Sequence, residues 1–319
     1  MPHLFDVDDL SPAAFSRVLH LAGTAQLEPV LAGKGVALLF EKPSARTRNS
    51  TEMAVDGLGG HPVYIQGTEV GLDTRESAED VARTLGCYHR ILCARVFDHA
   101  VLRRMATALD TSSFDVPVVN LLSDEAHPCQ AIADVLTLRD TLGSLAGLSL
   151  AYIGDANNMC RSLAKAALLE GMEFRVASPA AYSFSAEELA GLQAFSGRIG
   201  RGGTVRATND PEDAAADADA FYADVWTSMG QEEERAARLE AFTGFTVDDA
   251  LVSSGAPGAV VMHCLPAHRG EEISASVFEG PRSVVWRQAA HRRTAMRGIL
   301  AWSIEAPVSI DAPVGSAGS

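Results

Sequence analysis

Basic residues are scarce in this chain: 26 Lys and Arg stand against 41 Asp and Glu in 319 residues, for a net charge of −15. That balance excludes a generally basic nucleic-acid binder. Any anionic ligand must be gripped by a local cluster of arginines against the overall field. Cysteine is sparse too. Cys87, Cys93, Cys129, Cys160 and Cys264 are irregularly spaced, and an odd count without a framework points to reduced thiols in a cytoplasmic protein. No apolar stretch approaches the roughly 20 residues of a membrane helix. The first ten residues carry Asp6, Asp8 and Asp9 where a secretory leader has a basic end and an apolar run, so no leader is expected. There is no internal repeat, and the only biased segment is 306–319, small residues with Pro307 and Pro313 that are expected to be disordered.

The rest is rich in apolar residues, 47% of the chain, and long enough for about two domains. Short apolar runs at 36–40, 62–65, 91–96 and 116–120 read as buried strands. Helix-length amphipathic stretches start between them near Ser44, Glu76, Ala100 and His127. A second round follows Gly143, with strands expected at 149–153, 173–177, 204–207, 220–223 and 259–263 and a last helix at 283–302. This rhythm predicts an α/β chain of two domains, each a mainly parallel sheet flanked by helices. The expected division is 1–142 with the returning C-terminal helix (about 283–303), then 143–282. Ligands of open α/β sheets bind at the C-terminal ends of strands, and the polar motifs fall there repeatedly.

The first motif, Glu41 to Glu52, directly follows the run 36–40. A helix opening at Ser44 points free N–H groups at an anion, and Arg46 can grip a phosphate through two N–H bonds. The plain alternative is a Ser cap with surface arginines. The second is His127-Pro128-Cys129-Gln130, where a His and a Gln three apart share a helix face, as a carbonyl or amide site or as an ordinary cap. Zinc at His127 and Cys129 lacks a further ligand pair. The third, Gly154-Asp155-Ala156-Asn157-Asn158, lacks the G-x-G-x-x-G pattern, which rejects a nicotinamide cofactor. The fourth, Asp224-Val225-Trp226-Thr227-Ser228-Met229-Gly230, offers a carboxylate for a cationic amino group, or simply a turn. The fifth, His263 to Glu272, gathers two histidines, a cysteine and two glutamates and invites a metal or thiol-catalysis reading, but His263 can be a satisfied core residue, and Cys264 as a nucleophile would need a base the sequence does not place.

Together, in order and spacing, these stretches resemble the aspartate/ornithine carbamoyltransferase family, over about residues 34–303. Residues 44–48 are similar to its Ser-Thr-Arg-Thr-Arg motif and 127–130 to its His-Pro-x-Gln, both shared across the family. Residues 224–230 and 263–266 resemble the Asp-x-Trp-x-Ser-Met-Gly and His-Cys-Leu-Pro motifs of the ornithine branch. The aspartate branch has Leu-Pro-Arg where this chain has Leu265-Pro266-Ala267.

The resemblance implies transfer of a carbamoyl group from carbamoyl phosphate to the side-chain amine of L-ornithine, giving L-citrulline and phosphate, a step of arginine biosynthesis. It implies no cofactor and no metal. Ser44, Ala45 (through its N–H), Arg46, Thr47, Arg95, His127, Gln130 and Arg292 would hold carbamoyl phosphate; Asn158, Asp224, Ser228, Met229, Cys264 and Leu265 would hold ornithine. Arg46, Thr47, His127 and Cys264 would lie closest to the reacting atoms. No nucleic acid or membrane partner follows, and a homotrimer or a multiple of it does. The chain departs from the family at Ala45 (usually Thr), at Ala290-His291 (usually Glu-Asn) and at Gly71, where many members carry a Gln. Those departures leave open a related amine acceptor, such as putrescine or acetylornithine, or a member that binds without catalysing.

Overall fold

A computed structural model describes residues 2–112, 114–227, 230 and 232–305. Ser228, Met229 and the tail 306–319 lie outside the described residues. Among the described residues, nine strands form two sheets, all pairings parallel. The first sheet contains β1 (Gly35–Phe40), β2 (His61–Gln66), β3 (His89–Arg95) and β4 (Val118–Leu122) in the order β2-β1-β3-β4. The second contains β5 (Ser149–Ile153), β6 (Glu173–Ala177), β7 (Thr204–Thr208), β8 (Ala220–Ala223) and β9 (Val260–His263) in the order β7-β6-β5-β8-β9. The continuous apolar runs are the cause: Val36 to Phe40 and the whole of β5 are buried, as parallel strands covered on both faces must be.

All nine expected strands are present, with ends shifted where local chemistry intervenes. The run 116–120 pairs only from Val118, because Pro117 has no N–H to give; its carbonyl still accepts from Leu92 N–H at 3.0 Å. The helix expected near Glu76 is Ala78–Gly86, since Ser77 is taken as the cap and accepts from Asp80 N–H at 3.1 Å. Ser44 and His127 likewise sit just outside their helices, Ala45–Asp56 and Pro128–Leu142.

Both sheets reverse direction of winding partway. In the first the reversal lies between β1 and β3; in the second, between β5 and β8. The crevices at those two points open at the C-terminal strand ends. Residue Glu41 onward and Arg95 border the first crevice; Gly154 onward and Asp224 border the second.

The helix Val285–Ser303 returns to the first sheet and packs on the helices Pro12–Gly23, Ala45–Asp56 and Pro128–Leu142. Its approach to Pro12–Gly23 depends on Gly298, where a Cβ would fall 2.7 Å from both Val18 O and Ala22 N. Pro128–Leu142 also packs on Asn158–Leu169 beside the second sheet. One buried apolar cluster therefore runs from Val36 and Leu38 through Ile132 and Leu163 to Leu150 and Tyr152, with Ile299 of the returning helix in it. Among the described residues no helix is long and apolar enough to cross a membrane, and all five cysteines are free thiols.

Candidate active site

Three arginines from three elements meet with no carboxylate in direct contact, Asp134 acting on Arg292 only through its field. Arg46 opens the helix after β1, Arg95 ends β3, and Arg292 projects from the returning helix. Arg95 and Arg292 are 4% and 6% exposed, so their charges are almost wholly out of water. Arg95 Nε and Arg292 Nε and Nη2 have no hydrogen-bond partner, and no carboxylate among the described residues forms an ion pair with any of the three. Burial, then the charges of Arg292 and Arg46, push Arg95 down to about 10. Burial also lowers Arg292. Buried cations that repel one another and leave donors unused suit an anion.

Ser44 meets the plain expectation for a cap: its Oγ accepts from Thr47 N–H at 3.3 Å and lies 3.1 Å from Thr47 Oγ1. The earlier N–H groups of that first turn, those of Ala45 and Arg46, face the helix's open end, where the dipole favours an anion. Arg46 and Ala45 are exposed; Thr47 is buried.

Behind this cluster stands His127, buried, whose N–H donates to Ser162 Oγ at 2.9 Å. Burial first, then the charges of Arg292, Arg95 and Arg46, hold its imidazole well below the ordinary histidine range, so it is neutral. Arg292 Nη1 approaches His127 Nε2 at 3.4 Å and donates to Gln130 Oε1. A guanidinium has no acceptor, so Nε2 presents its lone pair and the proton resides on Nδ1, which has no partner. Cys129 gives its S–H to Asn120 O at 3.2 Å, and burial pushes its thiol up to about 12.

A cavity of about 350 Å³, within the range of small-molecule sites, is walled by Arg46, Met53, Gln130, Cys264, Leu265 and Arg292 among others. Arg95 and His127 adjoin that wall, close enough for the charges of Arg46 and Arg292 to act on both. On the other side of Cys264 is Asp224, 6% exposed. Its Oδ1 accepts from Val225 N–H at 2.8 Å and from the Cys264 thiol at 2.9 Å, and its Oδ2 from Asn157 Nδ2 at 3.2 Å. No cation among the described residues pairs with Asp224. A buried carboxylate so placed suits an ammonium group. Burial and the Asp224 charge keep Cys264 protonated, far from the thiolate a nucleophile requires.

Asn158 points elsewhere. Its Nδ2 donates to Ser123 O at 2.7 Å and its Oδ1 accepts from Met159 N–H at 3.0 Å, so the side chain ties the end of the β4 connection to the helix. Leu265 lines the cavity with φ +62° and a cis bond to Pro266; its N–H donates to His263 Nδ1 at 2.9 Å. The same His263 meets Glu272 Oε1 through Nε2 at 3.1 Å, and is thus the satisfied core residue the sequence allowed.

The departures at Gly71 and His291 have local reasons, and nothing in the structure explains Ala45. Gly71 caps the short helix Gly67–Val70 in a left-handed conformation (φ +64°), with a Cβ position 2.8 Å from Arg75 Cβ, so a side chain there would be strained. His291 turns from the cavity to Thr137, with Nδ1 at 2.9 Å from its hydroxyl, while Ala290 lines the cavity. Sequence reasoning missed Asp134, Gln288 and Tyr222, which brace Gln130 from behind. Spacing carried a signal for two of them: Asp134 lies four residues after Gln130, and Gln288 four before Arg292, each on one helix face.

The family model for the aspartate/ornithine carbamoyltransferase carbamoyl-P binding domain matches residues 2–140, and that for the Asp/Orn binding domain matches 146–303. The chain is similar to an ornithine carbamoyltransferase of Acidothermus cellulolyticus, 45% identical over 95% of this chain and 97% of that one. It is similar to another from Thermus thermophilus, 44% identical over 93% and 95%. Among solved structures, an ornithine carbamoyltransferase from Pyrococcus furiosus superposes with a TM-score of 0.88 at 37% identity, covering 94% of this chain and 96% of that one.

Proposed function

Since this chain belongs to the aspartate/ornithine carbamoyltransferase family, we propose that it transfers the carbamoyl group of carbamoyl phosphate to the side-chain amine of L-ornithine, giving L-citrulline and phosphate. The observation that carries this reading is the pairing of opposites around one cavity: three arginines without carboxylates, and Asp224 without a cation. A dianionic acyl phosphate and a diamino acid supply both missing charges.

In this reading Ser44, the N–H of Ala45, Arg46, Thr47, Arg95 and Arg292 bind the phosphate, and His127 and Gln130 hold the carbamoyl group. Asp224 takes the ornithine amino-acid end, with Ser228 and Met229 alongside and Asn158 fixing its turn, while Cys264 and Leu265 lie near the reacting side-chain amine. The uncharged amine attacks the carbonyl carbon, an oxyanion forms, and the C–O bond to phosphorus breaks. The electron pair leaves with phosphate, which accepts the amine proton. Arg46, Thr47 and His127 stabilise the oxyanion as donors; the protein supplies no base and works by position and charge. Residues 1–142, with the returning helix, form the carbamoyl-phosphate domain and 143–282 the ornithine domain. The active unit is a cytoplasmic homotrimer.

The test is citrulline formation from carbamoyl phosphate, with ornithine, putrescine, acetylornithine and aspartate as parallel acceptors. Preference for ornithine supports the reading. Turnover of another acceptor alone would overturn the assignment of residues 224–229, and no turnover with any acceptor would favour a binding protein. Sedimentation or light scattering checks the trimer.

A further inference from the structure

Asp134 is fully buried, on the helix Pro128–Leu142, one turn beyond Gln130. Three donors converge on its carboxylate from three elements. Gln130 Nε2 lies 2.8 Å and Gln288 Nε2 2.7 Å from Oδ1, and the Tyr222 hydroxyl lies 2.8 Å from Oδ2. Gln288 comes from the returning helix, and its Oε1 accepts from His263 N–H at 2.9 Å; Tyr222 comes from β8. The chemistry of this cluster leaves no freedom in the Gln130 amide. An ionised carboxylate only accepts, so it must meet the NH2 end; the Arg292 guanidinium only donates, so it must meet the oxygen.

We propose that Asp134 is a positioning residue that locks the Gln130 amide with its oxygen toward the cavity, and thereby makes the site select an acyl phosphate bearing an NH2 group beside its carbonyl. The inference rests on the carbamoyl-transfer reading and deepens it. A Gln130 presented the other way would set NH2 against Arg292 and against the substrate's own NH2. An acyl phosphate with a methyl group in that place gives Gln130 Oε1 no second donor beside Arg292, and so forgoes the hydrogen bond that the carbamoyl NH2 makes. Phosphate itself meets only the arginines and the helix end, so Asp134 should not affect it.

The experiment measures dissociation constants of carbamoyl phosphate, acetyl phosphate and inorganic phosphate on the full-length protein and its Asp134→Asn variant. An asparagine must offer one NH2 among three donors, and the amide of Gln130 is released to flip. The expected result is a loss of carbamoyl phosphate affinity of about tenfold or more, with phosphate affinity unchanged and the preference for carbamoyl over acetyl phosphate largely gone. Adding Gln130→Glu to Asp134→Asn restores an acceptor toward the cavity and gives the introduced asparagine's NH2 an acceptor to meet, so the double variant should recover the preference in part. Retained preference in Asp134→Asn overturns the proposal; so does an equal loss of all three ligands, which would mean general damage.

If the variants fail to fold, the wild type suffices. Burial outweighs the three hydrogen bonds and the Arg292 charge and raises Asp134 to about 6, while Tyr222 and the nearby Cys264 thiol stay protonated. The ratio of carbamoyl to acetyl phosphate affinity should therefore fall as pH drops through about 6, the phosphate titration common to both ligands cancelling. A flat ratio overturns the proposal. These binding constants are independent of the acceptor, so if the transfer reading alone fails, the wild type makes no citrulline yet keeps this preference.

Discussion

Arg292 Nη1 lies 3.4 Å from His127 Nε2, a cation facing the lone pair of an imidazole that burial keeps uncharged. The relationship makes His127 a fixed dipole rather than a titrating group. Its lowered pKa means that it stays neutral through the working range of pH, so it cannot set a limb in the rate profile near the ordinary histidine value of about 6.5. In the proposed reaction the group that titrates is the ornithine side-chain amine, protonated near neutrality. Rates at subsaturating ornithine should rise with pH above about 7, following the free amine. A profile that is flat there, or that breaks near the ordinary histidine pKa, would remove both the neutral His127 and the free-amine attack.

Arg46 is the exposed member of the arginine trio and the one at the helix opening. Replacing it with alanine should cost transition-state stabilisation on the scale of a lost oxyanion donor, about 3–4 kcal/mol, or several hundredfold in kcat/KM. Near-normal turnover of the purified variant would refute its assignment.

Arg292→Met should separate stability from activity. The arginine is buried beside Arg95 with two nitrogens unpartnered. Methionine removes that desolvation and repulsion, so thermal stability without ligand should rise, by about 1–2 kcal/mol, while turnover collapses. The same logic gives the wild type a rise of about 2–3 kcal/mol at phosphate concentrations near a hundred times its dissociation constant, and the variant much less. Calorimetry with and without phosphate reads both; a destabilised unliganded variant would show that Arg292 is held by interactions other than the anion's.

Cys264 donates its S–H to Asp224, at 2.9 Å, and burial keeps the thiol neutral. Serine can donate the same hydrogen bond. Cys264→Ser should stay within about tenfold of wild-type turnover, whereas Asp224→Ala should chiefly impair ornithine saturation. Loss of all activity in Cys264→Ser would reopen covalent chemistry, and unchanged ornithine saturation in Asp224→Ala would dismiss its role.

The helix contact at Gly298 has no room for a side chain, with backbone atoms of Val18 and Ala22 2.7 Å from a Cβ position. Gly298→Val should destabilise by about 1–3 kcal/mol through forced separation of the helices. Because Arg292 sits on the same helix, kcat should fall as well, and unchanged stability would show that the helices yield freely.

Strands were legible because parallel strands covered on both faces are continuous apolar runs, and β5, β6 and β8 have the ends the sequence predicts. Helix starts drifted by a residue or two, since the capping residue itself, such as Ser44 or Ser77, reads as helix in a pattern of polarity. Arg46, Arg95, Gln130, Arg292 and Cys264 were singled out through motif and resemblance, and the fold brings them to one cavity region. Asn158 proved to be committed to Ser123, because its amide finds a backbone carbonyl that no sequence pattern places beside it. Asp134 and Tyr222 stayed hidden for the same kind of reason: they are 88 positions apart and meet only when the two sheets are assembled.

The returning helix also orders events in time. Both sheets are complete by β9, which ends at His263, yet Arg292 and Gln288 are translated later. A chain made only as far as residue 282 contains every strand but only two of the three arginines, and lacks both the Gln288 donor to Asp134 and the guanidinium that Gln130 faces. In the proposed reading, then, the returning helix completes the anion site after both sheets have been translated.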